Sequence, residues 1–177
     1  HAAFLADDGK GVLVPGGSRS GKWTVALACL EAGHVYLGDD WVGVRRIADG
    51  SFVGYGLYSS ASLDPVHAPR FPELARHAVP PRGSAEDKAL LLLSRLLPER
   101  LGSTATVRAL PLPRIVGQAS TVLQRASKAE ALLRLAPSAV FEMSPRAGRA
   151  EVEQLAELVD RVPAYWHDVG PDLSEIP

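Results

Sequence analysis

The chain has 177 residues, of which 46% are hydrophobic and 22% are charged, values that exclude a disordered or fibrous protein and allow one domain with a sizeable core. A net charge of −1 argues against nucleic-acid binding, and the absence of a long apolar run argues against a membrane span. The single cysteine, Cys29, cannot form an internal disulfide and favours a cytoplasmic protein.

The first third of the chain predicts two hairpins separated by a helix. Residues 2–6 and 11–14 are apolar and flank an Asp-Gly turn, and residues 41–47 and 52–57 form a similar pair. Between them, residues 22–32 predict a helix that ends at Gly33 and buries Cys29, and residues 34–37 predict a strand. Because a strand, a loop, a helix and a strand follow in this order, we expect an α/β fold with a mixed sheet and a parallel centre.

The remainder of the chain is less regular. Residues 60–88 are rich in proline and predict an irregular loop with one helical turn, whereas residues 89–97 fit a strand or a helix equally well. Residues 106–112 predict a strand, and a capping box at Ser127 and Glu130 predicts a helix that extends to Leu135. Residues 149–161 predict an amphipathic helix, and residues 164–169 a strand that closes the sheet; the apolar helix face comprises Val152, Leu155, Leu158 and Val159.

The glycine-rich loop at residues 16–24 is the clearest motif for chemistry. It lies between an apolar strand and a helix and fits the phosphate-binding pattern G-x-x-x-x-G-K, in which backbone N–H groups and a lysine hold phosphates. A tight turn would also favour glycine, but it would not require a lysine at that place. The candidate nucleotide-binding residues are Gly16, Gly17, Ser18, Arg19, Ser20, Gly21, Lys22, Trp23 and Thr24.

Two adjacent carboxylates follow the next predicted strand, at Asp39 and Asp40. The carboxyl ends of neighbouring parallel strands meet at one edge of a sheet, so we expect the pair to lie beside the glycine-rich loop. Carboxylates placed there can hold a metal ion and accept a proton from an attacking hydroxyl, although an isolated pair of aspartates is more often a solvated turn.

These motifs together resemble a known family. A histidine at position 1, the loop, Gly33-His34 and Asp39-Asp40-Trp41-Val42 are similar, in this order, to the catalytic domain of HPr kinase/phosphorylase. The resemblance covers residues 1–45; later segments look more like the short HPr-kinase-like proteins of bacterial biosynthetic clusters. We therefore expect residues 1–177 to be a single HPr-kinase-like P-loop domain and a fragment of a longer chain.

The resemblance implies ATP-dependent phosphorylation of a serine in a peptide or protein, with ATP and Mg²⁺ as cofactors. It implies that Asp39 is the general base, that Asp40 is the metal-side carboxylate and that His1 lies near the base. The expected partners are a nucleotide and a peptide or protein substrate, without nucleic acid or membrane, and a homo-oligomer is left open.

The main departure from the family pattern is Trp23. A serine or threonine hydroxyl normally stands there and ligates magnesium, which an indole cannot do. Thr24 is one residue further on, where a regular helix would turn its hydroxyl about 100° away. Three interpretations remain open: a kinase whose metal is held by Asp40 and water, a protein that binds nucleotide without turnover, or a site filled by the indole.

Other parts of the pattern are also incomplete. Residues 54–58 carry no carboxylate where the family has a glutamate. Arg82 or Arg114 could supply the family's arginine, although neither matches the family pattern clearly. Tyr55 and Tyr58 could shape a substrate groove, and the scattered His67, His77 and His167 do not predict a zinc site. The leading hypothesis is a serine kinase; the alternatives are an impaired nucleotide-binding pseudokinase and a kinase of a small molecule such as free serine.

Overall fold

The computed structural model describes residues 1–17, 20–81, 83, 87–137 and 149–177, which contain ten strands, five α-helices and three short 3₁₀ helices. The strands are β1 (Ala2–Asp7), β2 (Lys10–Pro15), β3 (Val35–Gly38), β4 (Val42–Arg46), β5 (Phe52–Gly56), β6 (Ser60–Leu63), β7 (Ala89–Leu92), β8 (Thr104–Arg114), β9 (Val122–Arg125) and β10 (Ala164–Asp168). The helices are α1 (Lys22–Glu31), α2 (Pro72–Ala75), α3 (Leu93–Leu96), α4 (Lys128–Ala136) and α5 (Arg149–Arg161). No helix in these ranges is long and apolar enough to cross a membrane.

Eight of the strands form one mixed sheet, which confirms the expected α/β class. Its order is β3-β1-β2-β8-β10-β9, and the β4–β5 hairpin joins it through β5, which pairs with β8. The pairs β2–β8 and β8–β10 are parallel, so the centre of the sheet is parallel as predicted. The second sheet described is the two-stranded β6–β7 ribbon.

Apolar side chains fill both faces of the main sheet. On one face, the core joins the sheet to α4 and α5 through residues such as Phe4, Leu112 and Leu158. On the other, α1 packs between the sheet and the β6–β7 ribbon, and eight of its ten residues are buried. This burial explains why α1 is apolar nearly all round. It also places Cys29 in the core, as expected, and raises the pKa of its thiol to about 11.

Three predictions of local structure need correction, and one assignment that the sequence left open is resolved. Within the expected loop at residues 60–88, β6 is a strand because its partner β7 fixes it from a distant part of the chain. The ambiguous segment 89–97 divides into β7 and α3. The last strand, β10, does not close the sheet, because the mostly exposed β9 pairs with its outer edge. Val152 is 46% exposed, so the buried face of α5 begins at Leu155, where the helix reaches the core.

Candidate functional site

Three segments of the chain meet at one edge of the main sheet. The predicted β-α-β unit exists, but β2 and β3 are not neighbours, because β1 lies between them and is antiparallel to both. The start of β1 therefore lies beside the ends of β2 and β3, and the Ala2 N–H donates to the Asp40 carbonyl over 3.1 Å. This strand order brings His1 between the glycine-rich loop and the aspartates.

The glycine-rich loop ends where α1 begins. Gly21 is the N-cap residue, with a φ of +92° that favours glycine, and no side chain caps the helix there. Gly16 packs against Ser20, so a side chain at position 16 would require Ser20 to move. Because the first N–H groups of a helix lack internal partners, this start can bind an anion. Ser18 and Arg19, two of the predicted nucleotide-binding residues, lie outside the described residues.

Lys22 lies at the centre of a charged cluster. Its Nζ lies 2.5 Å from Asp40 Oδ1 and 3.0 Å from Asp39 Oδ1, although the lysine is only 5% exposed. His1 Nε2 approaches the same Asp40 oxygen to 2.9 Å, and its Nδ1 lies 3.3 Å from the Gly16 carbonyl oxygen. Both imidazole nitrogens thus face acceptors, and an imidazolium can donate to both at once. The structure brings together the predicted residues His1, Lys22, Asp39 and Asp40.

The two aspartates have different environments. The Asp39 carboxylate is almost completely buried, and burial raises the pKa of Asp39 even though the Lys22 ammonium acts to lower it. Its Oδ1 also accepts the Asp40 N–H over 3.0 Å. The Asp40 side chain is 37% exposed, and its backbone has an unusual φ of +72° for a residue other than glycine. Asp39 is therefore a buried carboxyl with a raised pKa, fixed by Lys22 and by the Asp40 N–H. Asp40 is the carboxylate that solvent can reach.

These residues border a pocket of about 840 Å³, here called the main pocket. From the predicted motif, Gly17, Ser20, Gly21, Lys22, Trp23 and Thr24 line it, together with His1, Asp39 and Asp40. Sequence reasoning missed Asp64, Val66, Lys88 and Ile115, and gave His67 no role; all five also line the pocket. They come from distant segments without a motif, so no sequence pattern indicates their position. Lys88 is the one cation besides Lys22 among the described lysines and arginines lining this pocket.

Trp23 packs within the wall of the main pocket. Its ring centroid lies 4.9 Å from that of His67 and 5.8 Å from that of Phe71. The indole also packs against the apolar core that contains α1. Thr24 is buried and also borders the pocket. The position that normally carries a metal-binding hydroxyl is thus an aromatic packing residue.

Several weaker candidates lie outside the main pocket. Arg114 binds both carboxylate oxygens of the buried Asp168 and stacks on Trp166, so it joins β8 to β10. Arg82 lies outside the described residues. Tyr55, Tyr58, His77 and His167 do not line the pocket, and the Tyr55 hydroxyl accepts from Arg45.

Two glycines in the segment 54–58, which lacks the family's glutamate, lie where the fold is too crowded for a side chain. A Cβ on Gly54 would lie 2.3 Å from the Phe4 ring, and one on Gly56 would lie 1.9 Å from the Leu37 carbonyl oxygen. At both positions any side chain would collide with the sheet, so packing accounts for these residues.

The residues at the site suit a phosphate better than a tightly held metal ion. Among the described residues, no group of three histidine, cysteine or acidic side chains could hold a metal. Mg²⁺, however, usually binds through one or two carboxylates together with phosphate oxygens and water. The accessible Asp40 carboxylate beside the uncapped helix start meets that lower requirement, and Asp64 is a further oxygen donor in the same pocket.

No family model and no curated protein matches this chain. Among solved structures, it is similar to the Hpr(Ser) kinase/phosphatase from Coxiella burnetii, at 15% sequence identity and a TM-score of 0.48. The match covers 96% of this chain and 84% of the other. The chemistry of the site therefore rests on its own side chains.

Proposed function

We propose that this chain is an HPr-kinase-like domain that transfers phosphate from ATP to a serine of a peptide or protein. The observation that carries the proposal is the buried Lys22 ammonium, held between Asp39 and Asp40 at the uncapped start of α1. The lysine and the helix N-terminus can bind phosphate, and a neighbouring carboxylate can act as a base. A turn with only a structural role would require neither group.

In this proposal the loop and the helix start hold the nucleotide phosphates, and Lys22 supplies positive charge to them. Mg²⁺, when bound with ATP, would neutralise charge on the phosphate oxygens, and Asp40 is the residue placed to hold it. Asp39 accepts the proton of the serine hydroxyl while the new O–P bond forms and ADP leaves. A raised pKa suits Asp39 to this role, because a carboxylate that holds a proton more tightly is a stronger base.

Lys88 extends the phosphate-binding set. With the histidines neutral, the described lining residues carry two lysines against Asp39, Asp40 and Asp64, a net charge of 2 − 3 = −1. A polyphosphate carries several negative charges, so it needs every cation that the pocket offers. We therefore assign Lys88 to the phosphate chain.

Nucleotide binding without transfer is the second candidate, and Trp23 favours it. The indole packs against His67 and Phe71 where a magnesium ligand would stand, so the metal loses one protein oxygen. A domain of this kind would bind nucleotide and present a surface to a partner.

One experiment separates the two candidates. Binding of a fluorescent ATP analogue is measured with and without Mg²⁺, beside phosphate transfer to a pool of serine-containing peptides. A kinase should bind more tightly with Mg²⁺ and should label peptide; tight binding without Mg²⁺ and without transfer would establish the binding module instead.

Trp23→Ser restores the missing hydroxyl and should raise magnesium-dependent transfer by about tenfold or more, the scale of one well-placed polar contact in a transition state. Trp23→Ala is the matched control, because it also removes the indole from its contacts with His67 and Phe71 but supplies no hydroxyl. If Trp23→Ser folds and binds nucleotide but gains no activity, the absent hydroxyl does not limit the reaction.

A further inference from the structure

A second cavity, of about 170 Å³, lies between the main sheet and α5, and we call it the apolar cavity. Its walls come from β1, β2, β4, β5, α4 and α5, and Glu151 is the one acidic residue among the described residues that line it. The apolar side chains include Leu13, Val42, Val44, Phe52, Leu155 and Leu158. The Gln154 amide, which also lines it, donates to the Val44 carbonyl over 3.0 Å. The cavity thus offers mainly hydrocarbon to an occupant.

His1 joins the apolar cavity to the main pocket. The histidine lines both, and its Nε2 lies 2.9 Å from Asp40 Oδ1. His1 is therefore the residue shared by the apolar cavity and the pocket that contains the carboxylates. Residues of an extended peptide are ~3.4 Å apart, so we expect a peptide whose serine lies at Asp39 to pass His1 and place a nearby residue in the cavity.

The size and lining of the cavity match one apolar side chain. An apolar cavity of roughly 150 Å³ in another protein stays dry and binds benzene, so 170 Å³ accommodates a leucine or phenylalanine side chain. A free amino acid such as serine has no group that would fill it. A small polar acceptor would therefore leave the cavity empty, whereas a peptide acceptor with an apolar side chain would fill it.

We propose that the apolar cavity is a specificity pocket that binds a leucine or phenylalanine side chain of the acceptor peptide, one or two residues from the phosphorylated serine. This inference rests on the proposed kinase function and identifies the class of its substrate. Binding energy from this side chain would hold the hydroxyl near Asp39, and its loss would raise KM.

The test uses acetylated glycine-rich heptapeptides with a central serine. Each carries leucine, phenylalanine, alanine or glutamate at one position within two residues of the serine. Wild-type protein with ATP and Mg²⁺ should prefer leucine or phenylalanine over alanine at one of these positions by about 10- to 100-fold in kcat/KM, chiefly through KM. Glutamate at that position should be disfavoured further.

Val44→Phe fills the cavity and should abolish the preference while nucleotide affinity stays unchanged. Val53→Phe is the matched control, because Val53 lies on the neighbouring strand, is similarly half-buried and does not line the cavity. Leu155→Ala enlarges the cavity and should move the preference toward tryptophan, which provides a second test if Val44→Phe fails to fold.

The outcomes distinguish this inference from the proposed function. Equal phosphorylation of all the peptides, transfer to free serine as efficient as to peptides, or a preference that survives Val44→Phe would overturn the specificity pocket but leave a kinase. No transfer to any acceptor, with nucleotide still bound, would overturn the kinase function and the pocket with it.

Discussion

Removal of the Lys22 ammonium would test the central cluster independently of any activity. Lys22→Met keeps most of the apolar stem but leaves the buried Asp39 carboxylate facing Asp40 without a cation. Loss of one partner from a buried ion pair costs roughly 3–5 kcal/mol. Since water reaches Asp40 and Asp39 can take up a proton, we expect the lower end of this range, about 3 kcal/mol at pH 7.

That loss would be easy to measure in a chain of this size. A change of 1 kcal/mol shifts Tm by about 2–4 °C in proteins of 150–250 residues, so Lys22→Met should lower Tm by about 6–12 °C. Adding Asp39→Asn removes the uncompensated charge and should recover more than half of the loss. The deficit of the single variant should shrink as pH falls, because a raised pKa in the folded state lets Asp39 take up a proton there before the unfolded chain does.

The assay is urea unfolding of wild type, both single variants and the double variant at pH 7 and pH 5. Lys128→Met is the matched control, because it removes an exposed lysine paired with Asp160 and should cost less than about 1 kcal/mol. An unfolding free energy of Lys22→Met equal to that of wild type, or a loss that Asp39→Asn does not reduce, would refute the buried ion pair between Lys22 and Asp39.

Three further predictions concern other parts of the chain. Lys88→Ala should weaken binding of an ATP analogue by about 3- to 10-fold and make it less sensitive to salt, whereas Lys88→Arg should retain most of the affinity. Burial lowers the pKa of His167, so the unfolded chain takes up that proton first and stability is lost as pH falls below about 6.5. His167→Gln should reduce this slope in urea titrations between pH 6.5 and 5, and an unchanged slope would contradict the role of the buried imidazole. Ser127→Ala should lower the unfolding free energy by about 1 kcal/mol, because it removes the hydroxyl that caps α4. An unchanged unfolding free energy would show that the capping box does not stabilise the protein.

Much of the local structure follows from short stretches of sequence. The Asp8-Gly9 turn between β1 and β2, the end of α1 before Gly33 and the capping box of α4 all lie where the sequence predicts them. In each case the determining groups are within a few residues of one another. Residues close together in the sequence are therefore enough to predict where these turns and helix ends lie.

Elements that depend on a distant partner were not predictable in this way. The short strands β6 and β9 lack a strong pattern of their own and form because β7 and β10 supply their hydrogen-bonding partners. The same limit applies to the site, where the loop and the aspartates are recognisable but Lys88, Asp64 and Ile115 are not.

The sequence by itself determined the α/β class, the glycine-rich loop, the candidate residues Lys22, Asp39 and Asp40, and the anomaly at Trp23. Tertiary structure decided that β1 separates β2 from β3, and so carries His1 to the aspartates. It also decided that Trp23 packs on His67 and that an apolar cavity opens beside His1. Sequence patterns report neighbours along the chain, whereas a pocket is built from residues that strand order brings together in space.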